Sequence, residues 1–347
     1  MKFRTRAVQA LKRRLITRLG CVSDQKFHLD SLMVSPRNDV ERIGLYSEAT
    51  QMTIQLPVNR SKLPLFYQPR RIYRLTDAIA DPLSGLIYDA AGQFVAESSS
   101  WLSLRQLWSW PRPYIKVPKR KLHGNHVFLP VNGYFHWLLE DLAPVIDVIE
   151  AHPDATIVVP ANPPRYVTDF LKLVSNRVVY VEEPMAVESL ILVAKIAGCG
   201  LSPHPRDFAV LRRFFAKWMS DETPKRKLYL SRVGERRSPG NEPDLLRLAV
   251  DNGYEVLNGN GVDLLTQVSM FSSAKAILGV HGAAFTNLAF SRQGRVCELF
   301  NASYLPACYS ILAQYTGLDY HPLIFDRQKP GLVDDDAFDA VRDFFHN

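Results

Sequence analysis

The sequence predicts an α/β fold divided between two packed domains. The chain has 347 residues, whereas a single core serves about 100–200. From His126 onward, short apolar runs alternate with amphipathic stretches of helical period. A βαβα order of this kind requires parallel strands, with the connecting helices on the sheet faces. Hydrophobic residues make up 47% and charged residues 22%, a globular composition that excludes a disordered, collagen-like or coiled-coil chain.

The elements follow in order. Residues 26–120 read as irregular and proline-rich, apart from Leu86 to Ala96, which reads as two strands around a glycine turn. Trp101, Trp108 and Trp110 would line a sugar site or fill core, and core is the commoner use. His126 to Pro130 is a short apolar run. Tyr134 to Glu150 reads as one strong helix after the turn pair Asn132-Gly133. Strands are expected at 156–159, 178–181 and 190–195, and helices at 166–174 and 207–219. The charged, proline-broken segment 221–227 reads as a linker. Beyond it strands are expected at 228–230, 254–257, 276–280 and 296–300. Helices are expected at 245–250, 264–271, 284–290, 309–315 and 337–345. The domains so defined are a basic segment over 1–25, an N-terminal domain over 26–220, a Rossmann-like domain over 221–330 and a C-terminal helix over 331–347.

Charge and cysteine usage narrow the function classes. The net charge is +7, and no acidic residue precedes Asp24. Lys2, Arg4, Arg6, Lys12, Arg13, Arg14 and Arg18 alternate there with Val8, Leu11, Leu15, Ile16 and Leu19, which fits an amphipathic helix. Such a segment would either dock on anionic lipid, at about 1 kcal/mol per basic residue, or be a solvated arm. No aromatic-rich basic stretch or nucleic-acid module follows it, so nucleic acid is not the expected partner. Cys21, Cys199, Cys297 and Cys308 are scattered, with no Cys/His cluster for zinc and no disulfide framework. No apolar run of about eighteen residues suggests a membrane span, and the first residues lack the apolar core of a secretory signal. The expectation is a reduced, cytoplasmic protein, peripheral on the inner membrane if its basic segment docks there.

Ligands on parallel sheets sit at the carboxyl ends of strands, so the motifs there carry most weight. Gly279-Val280-His281-Gly282-Ala283 follows an apolar strand and opens a helix. Gly282 would admit a ligand close to the backbone, and a helix start favours an anion. The bland alternative is a tight turn. Tyr229-Leu230-Ser231-Arg232 ends a neighbouring strand in a guanidinium, the group that binds phosphate bidentately. Arg236 and Arg237 follow in a Gly/Pro-flanked loop, which would otherwise be a basic surface loop. Asn241 and Glu242 suit a helix N-cap and first turn, with a ribose or sugar contact from Glu242 as the alternative. His136 and Glu140 are four residues apart on one helical face, among aromatic residues. A His hydrogen-bonded to a carboxylate can act as a base near neutral pH. Asp141 would face away. Asp334-Asp335-Asp336 resembles a metal-binding carboxylate run but is better explained as capping the helix that follows.

Taken in order, His136-Trp137-x-x-Glu140, Tyr229-Leu230-Ser231-Arg232, Arg237 with Asn241-Glu242, Gln267, Gly279-Val280-His281-Gly282-Ala283 with Asn287, and Glu298 resemble glycosyltransferase family 61, in particular its bacterial capsular-polysaccharide-type members. The likeness covers roughly residues 120–325. It implies a GT-B fold, two Rossmann-like domains facing a cleft, with the N-terminal one on the acceptor side. It implies inversion at the anomeric carbon, a nucleotide-sugar donor, a saccharide or lipid-linked saccharide acceptor, no cofactor and no obligatory divalent metal. Arg232, Arg237 and the His281-Gly282-Ala283 turn would hold the donor diphosphate. Glu242, Asn287 and Glu298 would make other donor contacts, Glu298 towards the ribose or base. His136 and Glu140 would lie in the acceptor half, one as base and the other orienting it; the spacing ranks neither. The loop between Arg237 and Asn241 is slightly long for the family pattern. Two other classes remain open: a non-catalytic nucleotide- or glycan-binding relative, and a different transferase modifying a glycan.

Overall fold

The computed structural model describes residues 40–55, 62–67, 69–93, 95, 98, 115–195, 203–235, 238–259, 261–325 and 331–346. The basic segment over 1–25, the three tryptophans Trp101, Trp108 and Trp110, and the pair Arg236 and Arg237 lie outside these residues.

The first half carries β1 (Val40–Ser47), β2 (Thr50–Gln55), β3 (Lys62–Tyr67), β4 (Arg70–Asp81), β5 (Leu86–Tyr88), β6 (Lys121–Phe128), β7 (Thr156–Pro160), β8 (Val178–Val181) and β9 (Met185–Val193). β2 and β3 form a separate antiparallel pair. The others make a seven-stranded sheet in the order β1-β4-β9-β6-β7-β8, with β5 on β4. The run from β9 to β8 is parallel. β4 lies antiparallel to β9, to β1 and to β5. The described residues between 40 and 81 are therefore largely strand, where the sequence reads as irregular. The reason is that β4 takes its partner from far along the chain, pairing Ile72 with Val193. Its first half is polar (Arg70, Arg71, Arg74), so no local apolar alternation announces it.

The second half carries β10 (Arg226–Leu230), β11 (Glu255–Leu257), β12 (Ala274–Val280), β13 (Arg295–Asn301) and β14 (Asp319–Phe325). Their order is β11-β10-β12-β13-β14, parallel throughout. This is the doubly wound pattern the sequence predicts. Helices Glu242–Asp251, Leu264–Ser272 and Cys308–Thr316 make crossovers. The expected helix over 284–290 is instead a 3-10 helix, Ala283–Phe290. Phe285 to Phe290 are buried without exception, so no amphipathic stripe enforces the 3.6-residue period.

Helices from both halves meet in one apolar cluster. Trp137, Ile146, Phe170 and Phe215 join it from the first half, and Phe271, Phe285, Phe290 and Leu312 from the second. Phe215 meets Phe290 edge to face, centroids 5.3 Å apart, a geometry worth about 0.5–1.5 kcal/mol beyond the area it buries. Arg212 then closes the 3-10 helix by donating to the carbonyls of Ala289 (2.9 Å) and Ser291 (2.8 Å), where a cation also suits the helix dipole. Among the described residues no helix is long and apolar enough to cross a membrane.

Candidate functional site

The site starts where β10 and β12 run side by side, Leu230 opposite Gly279. A Cβ on Gly279 would stand 2.7 Å from the Leu230 carbonyl oxygen, so only glycine permits this approach. Just past the strand ends, the Arg232 guanidinium lies against Gly282, where a Cβ would come within 2.6 Å of Nη1. Gly282 is extended (φ −175°), so its requirement is space and not backbone conformation. Arg232 Nη1 donates to the His281 carbonyl, and Nη2 pairs with Glu235 at 2.8 Å. Its buried Nε has no hydrogen-bond partner among the described residues. The expected pairing of a guanidinium with the glycine turn is thus present in the fold.

Two residues expected on the donor side, Glu242 and Glu298, are deeply buried. Glu242 is fully buried. Its Oε1 accepts from the Arg232 backbone N–H (2.6 Å) and the Tyr229 hydroxyl (3.2 Å), and Oε2 accepts from Ser238. Glu242 anchors the loop that carries Arg232. Asn241 stands at the N-cap but does not cap; its side chain bonds both backbone groups of Val333, each at 2.8 Å. The N-cap reading is corrected for Asn241, whose side chain is taken by Val333, while Glu242 and Asp244 stand in the first turn as expected. Glu298 is fully buried too. Its oxygens face His281 Nδ1 and the Tyr320 hydroxyl. Burial pushes the Glu298 carboxyl up, opposed by the His281 contact.

Across the cluster stands the helix expected over 134–150. It is broken into three: α-helical Tyr134–His136, a π-helical stretch Trp137–Leu142, and α-helical Ala143–Ala151. Pro144 supplies the reason. It has no N–H to give the Glu140 carbonyl four residues earlier, and its ring would clash there. A wider turn relieves both, and π-bulges of this kind gather at functional sites. His136 Nδ1 lies 3.0 Å from Glu140 Oε2, and both side chains are partly exposed. Asp141 points the other way, as expected, and is buried in an ion pair with Lys195. Burial pushes its carboxyl up to about 6, with Lys195 opposing.

Asn287 joins the two halves. It is fully buried; Oδ1 accepts from the Tyr134 hydroxyl (2.6 Å) and Nδ2 donates to Gln267 Oε1 (2.8 Å). Gln267 in turn donates to the Gly259 and Val262 carbonyls. Rings complete the connection. Phe135 touches His136 (5.1 Å) and Tyr309 (5.8 Å), and Tyr309 touches His281 (5.2 Å). The His136–Glu140 pair and the His281 turn are therefore parts of one locality.

Residues 134–297 match the family model described as Glycosyltransferase 61. This stretch is a glycosyltransferase family 61 domain. The chain is accordingly a glycosyltransferase, with a sugar donor and an acceptor as substrates. No curated protein matches it.

Within the glycosyltransferase domain lie His136, Glu140, Arg232, Glu242, His281, Gly282, Ala283 and Asn287; Glu298 falls one residue beyond the match. Arg237 lies outside the described residues. Lys195, Tyr309 and Tyr320 belong to the site's framework but carry no sequence motif. Only Pro144, within the expected helix, signalled the break beside Glu140. At the other end, Asp334 Oδ1 accepts from the Ala337 N–H at 3.0 Å, so this acidic run caps helix Asp335–His346 as expected.

Proposed function

We propose that the enzyme is an inverting, metal-independent transferase, moving a sugar from a nucleotide donor to a saccharide or glycolipid in surface polysaccharide synthesis. The two sheets would be the halves of a GT-B arrangement, with the second holding the donor. The observation that carries this is the Arg232 guanidinium seated on the Gly282 turn at the carboxyl ends of adjacent parallel strands. Its exposed partner Glu235 is a weak one, so a diphosphate would replace it. Asn287 would contribute by fixing the 3-10 helix behind the turn.

In the reaction the acceptor oxygen bonds to the anomeric carbon from the face opposite the leaving group. The carbon–oxygen bond to the diphosphate breaks, and its electron pair leaves with the phosphate. Arg232 meets that growing negative charge, and a fixed donor aimed there is worth several kcal/mol. The acceptor's proton passes to His136 or Glu140, whose 3.0 Å contact would let either orient the other.

A thermal-shift panel of nucleoside diphosphates and nucleotide sugars tests the reading. At a ligand concentration about a hundredfold above Kd, binding adds about 2.7 kcal/mol, and Arg232→Ala should abolish the shift. A panel without any stabilising nucleotide would remove the donor site. EDTA should leave turnover intact; loss of turnover restored by manganese would end the metal-independent mechanism.

A further inference from the structure

We propose that Glu298 and Tyr320 are positioning residues for His281, fixing which ring nitrogen meets the donor. The inference rests on the donor-site reading above and extends it to a residue, Tyr320, beyond the matched domain.

A carboxylate with no exposed surface is costly unless its lone pairs are met. Glu298 is in that position, and both its oxygens are engaged. Tyr320 donates its O–H to Oε2. With Glu298 ionised, both its oxygens can only accept. His281 Nδ1 is then the donor to Oε1, and Nε2 is the nitrogen left for a ligand. A buried carboxylate orients a working imidazole by the same logic elsewhere.

The ring is also fixed in plane. Phe300 stacks on it at 5.4 Å with 20° between planes, and Tyr309 and Tyr304 approach at 5.2 and 5.4 Å. The His281 backbone is held separately, its N–H on the Leu299 carbonyl at 2.9 Å and its carbonyl on Arg232. Backbone and ring being fixed independently, the remaining choice is the tautomer, and Glu298 makes it.

The test uses the full chain labelled with nitrogen-15 histidine, with His281 assigned by the signal lost in His281→Ala. Near neutral pH the wild-type Nδ1 should carry a proton. In Glu298→Gln the proton should spread to Nε2, and uridine or guanosine diphosphate should bind about tenfold more weakly, the loss expected for a hydrogen bond to a charged group. Tyr320→Phe removes only the hydroxyl and should move the same signals by less; it carries the test should the Glu298→Gln chain not fold. A wild-type Nδ1 without a proton, or ring signals unmoved in both variants, would overturn the proposal. If the signals respond as expected but neither diphosphate binds wild type, the positioning stands and the donor-site reading falls.

Discussion

The Tyr134 hydroxyl donates to Asn287 Oδ1 across 2.6 Å, joining the first residue of the broken helix to the 3-10 helix behind the glycine turn. The two residues belong to different sheets' helices, and Asn287 is wholly buried. Tyr134→Phe leaves its acceptor oxygen without that donor. Chemical unfolding should show a loss of about 1–3 kcal/mol, the cost of an unsatisfied buried acceptor.

Gly282→Ala separates donor binding from folding. The atom its Cβ would strike is the far end of the Arg232 side chain, which can swing away. The unfolding midpoint should move little, while calorimetry should find nucleoside diphosphate affinity reduced about tenfold, comparable to losing one charge-assisted bond. Equal affinity in the two chains would dissociate Gly282 from the ligand.

Glu140→Gln and His136→Ala should act on the chemical step. Loss of general base catalysis costs about 10²–10⁴ in kcat, with the donor KM held. The larger effect identifies the base. Undiminished kcat in both variants would place the base elsewhere.

Two buried groups give stability opposing pH dependences. The Asp141 carboxyl is pushed up to about 6 by burial, above its unfolded value. Its contribution to stability is present at low pH and is lost as pH rises through about 6. His204 caps helix Pro205–Phe215 through Nδ1, which accepts from the Arg206 N–H. Burial lowers its pKa to about 4, so its contribution is present above the unfolded value and lost as pH falls through about 4. The windows overlap with opposite sign, each on the order of 3 kcal/mol. Urea unfolding of Asp141→Asn between these values should therefore show a steeper loss on acidification than wild type. An unchanged slope would mean Asp141 titrates normally.

The parallel second half was legible because its signals are local. Leu228 to Leu230 and Ala276 to Val280 are apolar runs that any register would bury, and Arg232 and the Gly282 turn follow them directly in sequence. The antiparallel strands over 40–81 were not legible, since β4 is a strand by virtue of β9. The helix over 134–150 was read correctly as an element, but its π-helical break required weighing Pro144 against a strong apolar period.

Residue types fixed by sequence, at strand ends for Arg232 and His281 and on one helical face for His136 and Glu140, are enough to name these as the chemically able groups. Which of the polar residues around them are buried was decided by the tertiary structure. Glu242, Asn287 and Glu298 are buried anchors because their partners, Tyr229, Tyr134 and Tyr320, come from other elements. A carboxylate's role depends on what surrounds its oxygens, and in a folded chain those surroundings are assembled from distant segments.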